Sequence, residues 1–249
     1  MNFLLVLPTL NEVDNAPNLI SKVLLTFDNM DVLIIDDGSS DGTVEEIIST
    51  CIVYSKNRIN FLERKTKLGL AKAYIDGFNW AIKNEYDAVI SMDSDGSHRF
   101  LDLKCLVYEF TKSESIDLLI GSRWIKGGSV KNWSFKRVLL SRCANFLINV
   151  YLVKDIKDVT SGFRISRVSS LKTISLKDFE SKGFIFQVEL TLNFERNGFS
   201  ILEYPICFEE RAAGKSKLNM KIMLEALQLV SKWSVQELKR RATLNKEFN

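Results

Sequence analysis

Two acidic clusters, each at the end of an apolar run, carry the chemistry that is most legible in this chain. Asp93-Ser94-Asp95 follows Ala88-Val89-Ile90-Ser91-Met92, and Asp36-Asp37-Gly38-Ser39-Ser40-Asp41-Gly42-Thr43 follows Val32-Leu33-Ile34-Ile35. In an Asp-X-Asp turn on extended backbone the two carboxylates point the same way and can converge on one cation. Mg2+ or Mn2+ held by so few protein oxygens completes its shell with substrate phosphates. A helix cap or a solvated turn is the plainer reading of the same residues. In the Asp36–Thr43 cluster the extra acid can accept from a base or ribose, as an acid does in dinucleotide folds. It can equally hold a turn into a helix, for which Asp41 and Thr43 are suited. No G-X-G-X-X-G or P-loop pattern is present, which weighs against hydride transfer and triphosphate hydrolysis.

Basic residues supply the opposite charge. Arg123 follows Gly121-Ser122 at a strand end, and Arg137 and Arg142 lie on a long helical pattern; a guanidinium fits phosphate oxygens bidentately. A solvated helix face is the alternative for Arg137 and Arg142. His98, the one histidine, lies just past the acidic turn, as a base or as a cap or surface group. Glu189, on a helical stretch, would line a pocket or serve the structure.

The elements that must position these groups alternate. Strands are expected at 3–7, 31–35, 87–92 and 116–120 from short apolar runs bounded by turn residues, and helices at 15–27, 41–51, 68–83 and 101–112 from 3.6-residue apolar spacing. Such alternation predicts an α/β fold, a mainly parallel sheet with helices on both faces. Ligands of open α/β sheets bind beyond the carboxyl ends of the strands, where both acidic clusters fall. The second half predicts helices at 135–153, 184–195 and 218–238 and a strand at 200–208, followed by the basic run Lys239-Arg240-Arg241. The helices at 135–153 and 218–238 are amphipathic; they either pack on the core or lie in a membrane interface.

The apolar fraction of 46% over 249 residues suits a folded domain, and the net charge of +3 gives no case for nucleic acid. Cys51, Cys105, Cys143 and Cys207 are too scattered for a zinc site or a disulfide framework and read as buried thiols. The N-terminus reads as a strand rather than a signal peptide, and no stretch is apolar enough to span a bilayer.

With these residues in order, the chain resembles the family 2 glycosyltransferases of GT-A fold. Pro8-Thr9-Leu10-Asn11-Glu12, the Asp36–Thr43 cluster, Lys67-Leu68-Gly69-Leu70-Ala71 and Asp93-Ser94-Asp95 carry the match. The second half is similar to dolichyl- or polyprenyl-phosphate mannose synthases. It matches through Gly121-Ser122-Arg123-Trp124, Trp133 to Phe146, Val159-Thr160-Ser161-Gly162-Phe163-Arg164, Gly183 to Glu189, and Tyr204 through Lys217.

The resemblance implies a donor site at Pro8, Leu10, Glu12 and Asp36 or Asp37. It implies a metal and diphosphate at Asp93 and Asp95, Arg211 and Lys217 over the diphosphate, and the acceptor phosphate at Arg123, Arg137 and Ser141. Where relatives carry a glutamine- or histidine-rich run after the second Asp, this chain reads Gly96-Ser97-His98-Arg99. Ser97 would be a weaker metal ligand. The expected enzyme moves a hexose, mannose from GDP-mannose foremost, to polyprenyl phosphate with inversion. It would be cytoplasmic, peripheral on the cytosolic membrane face, with a small membrane-anchoring subunit as a further partner. One domain is expected over 1–249, with 1–125 binding the nucleotide sugar and 126–240 facing acceptor and membrane. A lipid phosphate is already anionic near neutral pH, so no general base is required. The alternatives are a UDP-glucose or UDP-GlcNAc enzyme acting on the lipid or on a polysaccharide hydroxyl, and a non-catalytic sugar-nucleotide scaffold.

Overall fold

The computed structural model describes residues 1–51, 57–64, 68–181, 183, 185–210, 228–238 and 240. Its centre is a seven-stranded sheet built from β1 (Phe3–Thr9), β2 (Met30–Asp36), β3 (Ile59–Glu63), β4 (Ala88–Ser91), β5 (Leu118–Ser122), β7 (Arg164–Arg167) and β8 (Ile201–Pro205), in the order β3-β2-β1-β4-β7-β5-β8. All neighbours pair parallel except β7, which runs antiparallel between β4 and β5. A second, two-stranded sheet pairs β6 (Ser129–Lys131) with β9 (Cys207–Glu209).

The alternation of β1 explains the layering. Leu4 and Val6 face one core, with α3 (Leu70–Lys83), α6 (Val168–Thr173) and α7 (Phe186–Arg196). Phe3, Leu5 and Leu7 face the other, with α1 (Ala16–Thr26), α2 (Thr43–Cys51) and α4 (Phe100–Lys112). Both faces are buried, so β1 and β2 read as continuous apolar runs rather than as alternating ones. The parallel register sets Thr9 opposite Asp36 and Val6 opposite Ser91, so the strand ends before both acidic clusters emerge at one edge.

α5 (Phe135–Tyr151) departs from this pattern. Only Asn145 and Ile148 are buried on it, while Phe135 is 78% and Phe146 67% exposed. Leu139, Leu140, Leu147, Val150 and Tyr151 are exposed as well, so its apolar stripe turns away from the core. A last helical run covers 228–238, with Trp233 buried and Val235 and Leu238 exposed.

Several expectations are corrected in detail. The helix expected from Asp41 starts at Thr43, because the Asp41 carboxylate accepts from Thr43 N at 3.0 Å and lies outside the helix. The helix expected from Leu68 starts at Leu70, after Gly69 turns the chain at φ 91°. The strand expected over 200–208 is two strands in different sheets; β8 ends at Pro205, which has no N–H to donate to a ladder, and Ile206 N instead bonds Ser122 O at 3.0 Å. β3, β6 and β7 were not foreseen. Of the expected buried thiols, Cys51 and Cys207 are buried, Cys105 is half-buried and Cys143 is exposed; all four are free. The expected helix over 218–238 has its first ten residues outside the described ones, as are Lys239 and Arg241 of the basic run.

Candidate active site

The loop at residues 9–13 is fastened to the Asp36–Thr43 cluster by short-range chemistry. Asp36 accepts from Thr9 Oγ1 (2.9 Å), Gly38 N (3.0 Å), Ser39 N (2.7 Å) and Ser39 Oγ (2.5 Å). It is 4% exposed and so holds the turn. Glu12 N donates to Thr43 Oγ1 (3.0 Å), Asn11 N to Ser39 Oγ (2.9 Å) and Val13 N to Asp41 Oδ2 (3.2 Å). Burial pushes the Asp41 carboxyl up, but the bonds from the Thr43 hydroxyl and from Val13 and Thr43 N–H outweigh it and hold its pKa below the usual range. Asp37 meets Arg64 Nη1 at 2.8 Å, and Arg64 Nη2 meets Asp76 at 2.8 Å. Both acids of the Asp36-Asp37 pair are thus engaged within the protein. Leu10 and Glu12 are half-buried beside them.

The second cluster is hung on the first strand: Ser94 Oγ donates to Pro8 O at 2.8 Å. This places Asp93 and Asp95 next to the Pro8–Glu12 segment. Asp95, 8% exposed, accepts from Ser97 N at 3.0 Å. Asp93 accepts from Tyr74 Oη at 3.3 Å, and its side chain stays 29% exposed. Burial, then the Asp93 charge, pushes the Tyr74 phenol well above its ordinary pKa, so it remains a donor. Tyr74 stacks on Phe186 (6.1 Å between centroids) under the turn.

His98 is neither a surface group nor a cap. It is 5% exposed, between Phe163 (4.7 Å) and Phe208 (5.1 Å), with Nε2 3.7 Å from Asp93 Oδ2. A bridge from His98 to Phe208, and Glu209 N donating to Ser97 O at 3.0 Å, tie the turn to β9. The donor set is two carboxylates; among the described residues no group of three His, Cys, Asp or Glu forms a ready ion cage. Two hard oxygen donors at a half-open strand end fit Mg2+ or Mn2+, whose other positions substrate and water fill.

Beyond the Phe208 ring of β9 three arginines interleave with aromatic rings. Arg123, expected to meet an acceptor phosphate, is 9% exposed and clamped by Asp158, through N (2.9 Å), Nε (2.7 Å) and Nη2 (2.6 Å). Nη2 also donates to Thr160 Oγ1 at 2.9 Å. Its guanidinium carbon lies 5.5, 5.4 and 5.7 Å from the centroids of Trp124, Trp133 and Phe208. Arg137 lies 4.0 Å over Trp133 and pairs with Glu210, and Arg142 lies 5.0 Å over Trp124. The indole N–H groups of Trp124 and Trp133 are buried without a hydrogen-bond partner. Ser141 is half-buried one turn along α5, its carbonyl bonded by Asn145 Nδ2 at 2.9 Å. A cavity of about 600 Å³ is lined by Trp124, Arg142, Phe146, Val150, Lys154 and Lys157.

Sequence reasoning missed the braces. Asp158 closes the charged run Lys154-Asp155-Ile156-Lys157-Asp158, two residues before Thr160-Ser161-Gly162, so nothing in the sequence set it apart from its solvated neighbours. Arg164, with no exposure, donates to Ser161 O (2.6 Å), Gln187 O (2.8 Å), Thr191 Oγ1 (2.7 Å) and Val159 O (2.5 Å). Burial lowers its pKa to about 9, against the pull of Asp158, so it is charged at neutral pH. Glu189 is a structural clasp: it accepts from Glu180 N (2.9 Å), Ser181 N (3.0 Å) and Ser181 Oγ (2.5 Å). Arg211 and Lys217 lie outside the described residues, as do Lys67 and Phe184 of the resembling motifs.

Comparison with known proteins identifies the family. Residues 4–175 match the model of the family described as Glycosyl transferase family 2. The chain is 36% identical to a polyprenol monophosphomannose synthase of Mycolicibacterium smegmatis, over 94% of this chain and 87% of that one. It is also 36% identical to an undecaprenyl-phosphate mannosyltransferase of Micrococcus luteus, over 94% of this chain and 95% of that one. Among solved structures, glucosyl-3-phosphoglycerate synthase from Mycobacterium tuberculosis in complex with UDP superposes with a TM-score of 0.67 at 18% identity. That match covers 94% of this chain and 80% of the other. The same synthase with Mn2+, UDP-glucose and glycerol 3-phosphate gives 0.63 at 19% identity, covering 96% and 79%. At that identity the likeness speaks for the α/β fold of the glycosyltransferase A type.

Proposed function

The chain belongs to glycosyl transferase family 2, and from that premise we propose that it transfers mannose from a nucleoside-diphosphate donor, GDP-mannose foremost, to a polyprenyl phosphate. The observation that carries this reading is the Asp93–Asp95 turn, fixed by Ser94 to Pro8 beside the donor-side loop, in a chain whose mannosyltransferase relatives align along nearly all of it.

Pro8, Leu10, Glu12 and the Asp36-Asp37 turn form the nucleoside wall. Asp36 and Asp37 act chiefly by shaping it, since both are already bonded. Asp93 and Asp95 would hold Mg2+ or Mn2+, which supplies positive charge to the departing diphosphate. Arg211 and Lys217 would add to that charge. The acceptor phosphate, anionic at neutral pH, needs no base; an oxygen attacks the anomeric carbon opposite the diphosphate, and the configuration inverts. Arg137, Ser141 and Arg142 face the acceptor. Arg123, locked to Asp158, holds Trp124 and Trp133 in place. The cavity beside Trp124 has cations for an anion and Phe146 and Val150 for the first isoprene units.

No helix among the described residues is long and apolar enough to cross a membrane. The outward apolar stripe of α5 would instead lie in the headgroup plane on the cytosolic face, alone or beside a small anchoring subunit. We read residues 1–249 as one domain in which 1–125 bind donor and 126–240 meet acceptor and membrane.

The test is transfer of labelled sugar from GDP-mannose, UDP-glucose and UDP-GlcNAc into organic-extractable lipid, with polyprenyl phosphate and Mn2+ or EDTA. Label from GDP-mannose that vanishes with EDTA and in Asp95→Ala is the expected result. Label from a UDP-sugar alone would replace the donor, and no lipid label from any donor would defeat the assignment.

A further inference from the structure

We propose that the side-chain amide of Gln187 reads a hydroxyl of the transferred hexose, in a gap that Gly162 keeps open beside Asp93. The inference rests on the hexosyl-transfer reading above and adds a specificity-determining residue to it. Gln187 is the second residue of α7 and only 2% exposed. Neither Oε1 nor Nε2 has a hydrogen-bond partner. An amide sealed from water without a partner is unfavourable and rare, so each case calls for a reason.

The structural work at this position is done by the main chain. Gln187 O accepts from Arg164 Nη1 at 2.8 Å and from Thr191 Oγ1 at 2.8 Å, so the side chain is not needed for either bond.

Gly162 shows where the amide looks. A methyl built on Gly162 would stand 3.8 Å from Gln187 Nε2 and 3.9 Å from both carboxylate oxygens of Asp93. The missing side chain therefore leaves a space with an amide on one side and Asp93 on the other. Gly162 is half-buried and does not sit in the left-handed region, so backbone conformation does not demand a glycine here. A group entering over the part-exposed Asp93 reaches the amide through this gap. Sugar hydroxyls both donate and accept, which matches the carbonyl and NH2 of a carboxamide. His98, the other buried group lacking hydrogen bonds nearby, is packed between Phe163 and Phe208 and serves as wall.

The experiment measures kcat/KM with polyprenyl phosphate and Mn2+ for GDP-mannose and for GDP-mannose analogues that each lack one sugar hydroxyl. Wild type is expected to lose about 100-fold or more on one analogue, because a site built to pair a hydroxyl rejects its absence strongly. Gln187→Leu is expected to lose a similar factor on GDP-mannose and little more on that analogue, a non-additive cycle. Its Tm should equal or exceed that of wild type, since an unpaired buried amide is removed. Gly162→Ala, whose methyl makes only ordinary contacts, should fold normally, keep GDP affinity and lose hexose transfer. The inference is overturned by Gln187→Leu activity within 3-fold of wild type, by additive losses on every analogue, or by a loss explained by weaker Mn2+ binding. Those outcomes, in a wild type that transfers mannose, sink it alone; a wild type that transfers no hexose sinks the functional reading and this one together.

Discussion

At the scale of single residues, the candidate site mixes groups proposed to meet substrate with groups that hold others still, and charge alone does not tell them apart. Arg123 is the sharpest case. Removing one partner of a buried pair strands the other charge, so Asp158→Ala should cost about 3–5 kcal/mol in urea unfolding, Asp158 being fully buried. An activity loss in an Arg123 variant then reports fold as much as phosphate binding. Arg123→Lys keeps the charge but loses the fork to Asp158, and should unfold earlier too. Asp41 gives a pH signature. Its pKa is depressed in the folded protein, so its stabilisation is whole above the unfolded value of about 4 and is lost as pH falls through the lower native value. The Tm difference between wild type and Asp41→Asn should therefore shrink on acidification below pH ~4. The acidic clusters were legible because acids at strand ends are informative without any tertiary knowledge. Asp158, Arg164 and Gln187 were not, because their meaning lies in partners, or the lack of them, that only the fold brings near.

At the scale of elements, close approach decides more than propensity. Gly77 sits inside α3, where Gly→Ala usually gains up to about 1 kcal/mol. Here a Cβ would meet Val6 Cγ1 at 2.6 Å and Cγ2 at 2.8 Å, on a central strand with no room to yield. Overpacking costs about 1–3 kcal/mol, so Gly77→Ala should lower Tm rather than raise it. The strands and helices of the first half were legible because β1, β2 and β4 are buried on both sides and their helices carry clear stripes. β7 was not, because Arg164-Ile165-Ser166-Arg167 buries an arginine where a strand pattern wants an apolar residue. β6 is three residues long and takes its form from β9. α5 shows the limit of periodicity: the stripe was visible, but not which way it faces. Phe146→Glu and Leu139→Glu, both at exposed positions, should leave Tm nearly unchanged and weaken sedimentation with anionic vesicles about tenfold or more.

At the scale of the whole molecule, the sheet carries strands from both halves of the chain, so the proposed donor and acceptor sides share one framework. The join is β9, which bonds Ser97 just past the Asp93–Asp95 turn, pairs with β6 ahead of Trp133, and is followed in sequence by residue 211. A disturbance of β9 is therefore expected to harm both substrates' KM values at once, whereas Asp37→Asn should raise that of the donor alone. The exposed thiol on α5 has a practical corollary. Cys143 is accessible among exposed apolar neighbours, while Cys51 and Cys207 are buried and Cys105 is half-buried. A maleimide fluorophore added sparingly should thus land on Cys143 without any engineering. There it becomes a built-in depth gauge: its emission should shift to the blue when α5 settles among lipids, and brominated acyl chains should quench it according to how far the helix sinks.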